Sequence, residues 1–203
     1  FVAQESDGTA TVTFTFDAQI TLGSELVAFE SLYRDGMELT AHANIDDEAQ
    51  TVYVPSLHTT LSNKTGTHEA AGANARIVDA VEYKGLVPGK TYTLTGTLMD
   101  PQTEKQVVVD DTPLSSSVTF VPNTADGTQD VAFEANLSAY AGKSLGAFES
   151  LVEGEDANGR MVASHEDLNS EEQSVTVPTL RTTATNADTH GNSIPSTGTV
   201  RIV

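Results

Sequence analysis

One set of residues occurs twice in this chain, in the same order and at nearly the same spacing. Phe148-Glu149-Ser150-Leu151 is followed by His165, Gln173 and Pro178-Thr179-Leu180-Arg181-Thr182-Thr183. Earlier the chain reads Phe29-Glu30-Ser31-Leu32, then His42, Gln50 and Pro55-Ser56-Leu57-His58-Thr59-Thr60. The Gln lies eight residues after the His in both copies. An internal repeat of domain length constrains the fold more than any local propensity, because it makes the chain an array of similar units. The repeated positions are polar and reactive as well as apolar. A core alone would repeat only its apolar positions.

The repeat also sets the frame. Phe1-Val2 aligns with Phe120-Val121, and Asp7-Gly8-Thr9 with Asp126-Gly127-Thr128. The second copy carries four extra residues around Gly154–Arg160, and Arg201-Ile202-Val203 matches Arg76-Ile77-Val78. Residues 56–178 therefore read as one complete unit. Residues 1–55 read as the C-terminal half of a preceding unit, and 179–203 as the first-strand region of a following one. The chain is expected to be a piece of a longer multidomain protein.

A complete unit of roughly 120 residues is of ordinary domain size and buries its own core. The net charge of −19 argues against nucleic acid and anionic membrane as partners, since both select basic patches. With no cysteine, disulfides and thiolate metal sites are excluded. No apolar run approaches the length of a membrane span. Acidity, low aromatic content and abundant Thr and Val fit a soluble extracellular or surface module.

Alternation of period two dominates the pattern. Strands are expected over Thr9–Asp17, Val78–Tyr83, Thr91–Met99, Gln106–Val109, Ser117–Val121, Thr128–Phe133, Leu145–Leu151, Arg160–Ser164 and Gln173–Val177. Pro88-Gly89, Asp126-Gly127 and Asn158-Gly159 supply turns. Many short strands in one unit imply an all-β fold, an immunoglobulin-like antiparallel β-sandwich in tandem repeats. The sole helix-like stretch is Asn136–Lys143.

Alternation also assigns faces. On the first strand of the complete unit Leu57, Thr59 and Leu61 share one face, with His58 and Thr60 on the other. On the last strand Gln173, Val175 and Val177 share a face. Thr59 and Gln173 therefore point inward among apolar residues, where a polar group needs a partner. Each is a candidate partner of the other if the first and last strands are neighbours. His165 and Gln173 are expected to face one another across a hairpin. Glu149, repeated as Glu30, ends an apolar run.

The pattern Val27-Ala28-Phe29-Glu30-Ser31-Leu32-Tyr33, then His42, Gln50-Thr51-Val52 and Val54-Pro55, resembles the VaFE repeat family of Gram-positive surface proteins, also called T-Q ester-bond domains. Asp79-Ala80-Val81-Glu82-Tyr83 followed by Leu86, Pro88-Gly89, Tyr92, Gly96, Leu98 and Asp100 is similar to the family's middle segment. The copies depart mildly, with Gly146 for Val and Ser174 for Thr. The resemblance implies an immunoglobulin-like stalk domain of a cell-surface adhesin, anchored to the cell wall through other regions. It implies an intramolecular ester between Thr59 and Gln173, assisted by His165, Glu149 and Asp79. His suits the proton-accepting role near neutral pH, and a carboxylate beside it would hold the ring, as in hydrolase triads. A second, protonated carboxyl would polarise the amide. Glu149 and Asp79 both remain open for either role. The reaction occurs once per molecule and is not turnover.

Glu30, His42, Gln50 and Thr182 are the counterparts in the incomplete units, expected to stay unreacted within one chain. The partners implied are neighbouring repeats and a host ligand bound by another domain. No cofactor and no metal is implied, and no membrane insertion of this segment. The alternative is a ligand- or calcium-binding sandwich without a crosslink, with Asp46-Asp47-Glu48 and Glu153–Asp156 as oxygen-rich turns. Ile194-Pro195-Ser196-Thr197-Gly198 superficially resembles a sorting signal and reads as a loop.

Overall fold

The computed structural model describes residues 1–194, 196, 197, 199, 201 and 202. All regular structure among them is strand, apart from three single 3-10 turns. The first repeat carries β1 (Glu25–Val27), β2 (Glu30–Arg34), β3 (Met37–His42) and β4 (Thr51–Tyr53). The complete unit follows with β5 (Ser56–Asn63), β6 (Ala75–Lys84), β7 (Tyr92–Asp100) and the short β8 (Lys105–Gln106), β9 (Val108–Val109) and β10 (Thr112–Pro113). It closes with β11 (Ser115–Phe120), β12 (Gly127–Ala135), β13 (Ser144–Glu153), β14 (Arg160–His165) and β15 (Ser174–Thr176).

Two antiparallel sheets, with a two-stranded ribbon of β9 and β10 beside them, make up residues 56–178. One has the order β12-β6-β5. The other runs β11-β7-β13, with β14 and β15 both on the free side of β13. Leu61, Ile77, Val81, Val131 and Phe133 from the first sheet meet Leu94, Leu98, Leu145, Ala147 and Leu151 from the second in one buried cluster. The fold is thus the immunoglobulin-like antiparallel β-sandwich that the alternation implies. Along β6 the inward positions read Ala75, Ile77, Asp79, Val81 and Tyr83, all buried. A carboxylate sits on the apolar face with no change of register.

The first and last strands are neighbours. The Leu61 N–H donates to the Glu172 carbonyl at 2.8 Å. Just beyond β5, the Ala70 N–H donates to the Thr176 carbonyl and the Thr176 N–H to the His68 carbonyl, both at 2.9 Å. A parallel bridge joins Glu69 to Thr176.

Three expectations are corrected. Thr9–Asp17 forms no strand, and Val12, Phe14 and Phe16 lie largely exposed. Its counterpart β12 pairs along its full length with β6, and residues 1–55 contain no counterpart of β6. Alternation gives a segment the capacity to be a strand, but the ladder needs a partner. Asn136–Lys143 holds only a 3-10 turn at Ser138–Tyr140, ended by Gly142 at φ +83°. His165 and Gln173 do not form a hairpin. β14 pairs with β13 at Glu149–Glu153 and β15 pairs with β13 at Ser144–Gly146, so the two lie end to end along one edge. Within the Ile194–Gly198 loop, Pro195 and Gly198 lie outside the described residues.

Candidate functional site

Each sheet contributes part of one buried polar cluster. In the first sheet Thr59 pairs in register with Val81, and Leu61 with Asp79. Thr59 and Asp79 are therefore diagonal neighbours on one face, within side-chain reach. In the second sheet Glu149 lies opposite His165 on one side and Gly96 on the other. Gly96 leaves room there: a Cβ would come within 2.8 Å of the Phe133 ring and 3.0 Å of Val131. Gln173 is fixed by its backbone, whose carbonyl accepts from Ala147 N–H at 3.0 Å. Its side-chain Nε2 donates to the Ala147 carbonyl at 3.1 Å and to Glu149 Oε2 at 3.2 Å. Thr59, Asp79, Glu149 and Gln173 are all buried, at 1% exposure or less.

Native interiors satisfy nearly all their polar groups. Here Thr59 Oγ, both Asp79 carboxylate oxygens, Glu149 Oε1, His165 Nδ1 and Gln173 Oε1 are buried without a hydrogen-bond donor or acceptor. Among the described residues every such side-chain atom belongs to this cluster, save one on Gln50. The Thr59 hydroxyl lies close enough to both carboxyls to perturb them. It does not settle into an aligned bond with either.

Burial dominates the electrostatics. It pushes the Glu149 carboxyl up to about 10, and the neighbouring Asp79 carboxyl adds to the rise. Burial likewise raises Asp79, while Glu149, His165 and Thr59 pull it back. Two carboxyls this close, away from water, share a proton rather than both ionise. Burial, then the charge of His58, holds the His165 imidazole below its ordinary 6.5, against the opposite pull of Asp167 and Asp79. The ring is therefore neutral at pH 7.

Thr59, Asp79, Glu149 and Gln173, the residues that the resemblance implies, lie in this one cluster, with His165 at the rim. The triad-like arrangement does not appear, because neither Glu149 nor Asp79 hydrogen-bonds His165 Nδ1. His58 was not singled out by sequence. Its ring centroid lies 6.0 Å from that of His165, and its Nε2 is 3.2 Å from Glu172. The third copy has Arg181 at that position, so repetition carried no signal for it.

The first repeat reproduces half of the cluster. Glu30 pairs with His42 as Glu149 does with His165. Gln50 Nε2 donates to Glu30 Oε2 at 2.6 Å, and the Ala28 N–H donates to the Gln50 carbonyl at 3.1 Å. β1 and β4 match the register of β13 and β15. Residues 1–54 contain no counterpart of Thr59 or Asp79. Thr182 lies in an exposed segment outside any strand.

Acidic turns have other uses. Asp47 accepts from the Ala49 N–H and lies 3.0 Å from His42, while Glu153 binds Lys90 and Arg160. Among the described residues no helix is long and apolar enough to cross a membrane.

The family model described as "T-Q ester bond containing domain" matches residues 1–54 and 55–177. Among solved structures, a bacterial adhesin from Mobiluncus mulieris containing intramolecular disulfide, isopeptide and ester bond cross-links is similar in two crystal forms. One is 17% identical over 65% of this chain and 59% of that one, with a TM-score of 0.46. The other is 16% identical over 61% and 57%, with a TM-score of 0.47. This chain thus spans about three fifths of the solved adhesin's length. A Bacteroides uniformis beta-glucuronidase is 11% identical over 57% of this chain and 14% of that one, with a TM-score of 0.37. No curated protein matches.

Proposed function

The chain belongs to the T-Q ester bond domain family, and on that premise we propose that residues 56–178 form a self-crosslinked stalk unit of a bacterial surface adhesin, closed by an ester between Thr59 and Gln173. The observation that carries this reading is the concentration of unpartnered buried polar atoms on those two residues and their neighbours. A sandwich gains nothing from six unsatisfied atoms in its core, each costing about 1–3 kcal/mol. A site assembled to react accounts for them.

The chemistry follows from the contacts. Thr59 Oγ attacks the Gln173 carboxamide carbon. The C–N bond breaks, the C–O ester bond forms, and ammonia leaves carrying the hydroxyl proton in net balance. The departing nitrogen is the atom that touches Glu149 Oε2, so a protonated Glu149 is placed to give it a proton. Burial and the neighbouring Asp79 keep Glu149 protonated. Neutral His165 is the remaining proton acceptor for the hydroxyl. The crosslink assists in place of disulfides, since the chain has no cysteine. Force passing along a row of such units would run through the esters. The implied setting is a cell surface, beside neighbouring repeats, with ligand binding left to another domain.

The direct test is intact mass. The purified 203-residue chain should weigh one ammonia less than its sequence, and not two, because Gln50 and Thr182 each lack partners within the chain. An unmodified mass after long incubation at neutral pH would rule the ester out.

The rate should also depend on pH. Formation requires neutral His165 and protonated Glu149. It should be level from somewhat below 6.5 upward, fall on the acid side as His165 takes a proton, and fall above about 10 as Glu149 ionises. Ammonia loss followed by mass against pH reads both limbs. A rate that climbs steadily through pH 10 would remove Glu149 from the acid role.

A further inference from the structure

We infer that His58 is a positioning residue for the joining of Thr59 to Gln173, acting through His165 by setting how readily that ring holds the Thr59 proton; the inference rests on the ester reading above. His58 lies on the outer face of β5, directly before Thr59. β5 forms one edge of the first sheet and β14 one edge of the second, and the two edges lie against each other. The His58 and His165 rings meet across that margin, with centroids 6.0 Å apart and planes tilted by 41°. His58 Nε2 in turn lies 3.2 Å from Glu172 Oε2. Glu172 directly precedes Gln173. The His58–Glu172 pair therefore bridges the two segments to be joined, one residue away from each reacting side chain.

His58 touches no reacting atom. Gln173 Nε2 donates to Ala147 and Glu149, and Thr59 Oγ has no partner. Any influence on the reaction runs through His165, whose Nδ1 is buried without a partner and free to accept the hydroxyl proton. Accepting it turns the ring into a cation. Asp79 on β6 and Asp167 beyond β14 favour that cation, and charge on His58 from β5 opposes it. Glu149, opposite His165 on β13, is held protonated by burial. Glu172 and Glu82, the latter opposite His58 in register on β6, carry the contrary sign beside His58. Position 58 is thus the place from which a positive charge reaches His165. The equivalent position of the following repeat holds Arg181.

The consequence is a trade-off. A cation at position 58 keeps His165 unprotonated, and so able to accept the hydroxyl proton, down to lower pH. It also makes the ring a weaker base and repels the charge that develops on it during the reaction. A neutral residue at position 58 does the reverse on both counts. When the acid limb of the crosslinking rate moves to lower pH the plateau should fall, and when it moves to higher pH the plateau should rise. Two unit charges 6.0 Å apart in a water-like medium displace the limb by roughly 0.5 in pH.

The test is the pH profile of ammonia loss in the full chain. Chain recovered unfolded and unreacted is diluted into low-salt buffers across the acid limb, and intact mass is followed with time. His58→Gln should move the limb to higher pH and raise the plateau. His58→Arg should move it to lower pH and lower the plateau, leaving the two limbs roughly 0.5 apart in pH. Added salt should draw them together, because the His58 side chain is more than half exposed. Both substitutions fall on the outer face and spare the core, and if one variant misfolds, the displacement of the other from wild type still decides. A limb that stays in place in both variants, even with altered rate or stability, would overturn the inference and leave His58 as a tie between β5 and Glu172. Limbs displaced in the reverse order would overturn it equally. In both of those cases the ester stands. No ammonia loss in the wild-type chain at any pH would instead sink the ester reading, and this inference with it.

Discussion

Thr59→Ala is expected to restore the full sequence mass, while Thr60→Ala still loses one ammonia. The two residues are adjacent, and only their faces differ. Thr59 is completely buried opposite Val81, whereas Thr60 lies on the outer side of the same strand and is partly exposed. The stability of the two variants should diverge as sharply as their masses. An ester between Thr59 and Gln173 encloses roughly 115 residues, for which the chain-entropy model gives about 4–5 kcal/mol of stabilisation. For a domain of this size each kcal/mol moves the melting temperature by roughly 2–8 °C. Thr59→Ala should therefore melt some tens of degrees below Thr60→Ala and lose the compact form in denaturing gels. If Thr60→Ala blocks the ammonia loss and Thr59→Ala does not, the inward register of β5 is wrong by one residue.

Much of this site was legible before any coordinates. Period-two alternation put Thr59 with Leu57 and Leu61, and Gln173 with Val175 and Val177, and those faces are the buried ones. Glu149 recurs as Glu30, whereas Glu134 aligns with Thr15 and lies on the surface, paired with Arg76 at 2.6 Å. The hydrogen-bond partners were not legible. Sequence spacing made His165 and Gln173 look like hairpin partners, when the loop between them lets β14 and β15 run on along one edge of β13. It also left open which carboxyl serves the histidine. Neither hydrogen-bonds His165 Nδ1, and Glu149 accepts instead from Gln173, which depends on how the strands meet at the site. Thr9–Asp17 failed for a similar reason. Its alternation is as regular as that of β12, but strand formation depends on a neighbour that alternation within the segment does not describe.

Mechanical loading should give the largest effect of the crosslink. Pulled through residues 56 and 177, the crosslinked unit should barely lengthen, because force enters at β5, crosses at Thr59 to Gln173 and leaves at β15. The intervening residues, about 115 of them at ~3.4 Å each, hold a hidden length of ~390 Å. Thr59→Ala should release that length in one step. Its first strand is otherwise tied to the last region by a few backbone bonds, such as Leu61 N–H to Glu172 and Ala70 N–H to Thr176. The two tethers run nearly side by side, as the parallel bridge from Glu69 to Thr176 requires. Those bonds are therefore loaded in shear, which resists more than peeling but yields well before a covalent bond. Single-molecule extension of both variants separates the cases. A step of ~390 Å in the wild-type chain at forces that leave covalent bonds intact would show that force does not pass through an ester, whatever the mass shows. The absence of that step in Thr59→Ala would mean that the sandwich itself bears the load and that the crosslink serves some end other than mechanics.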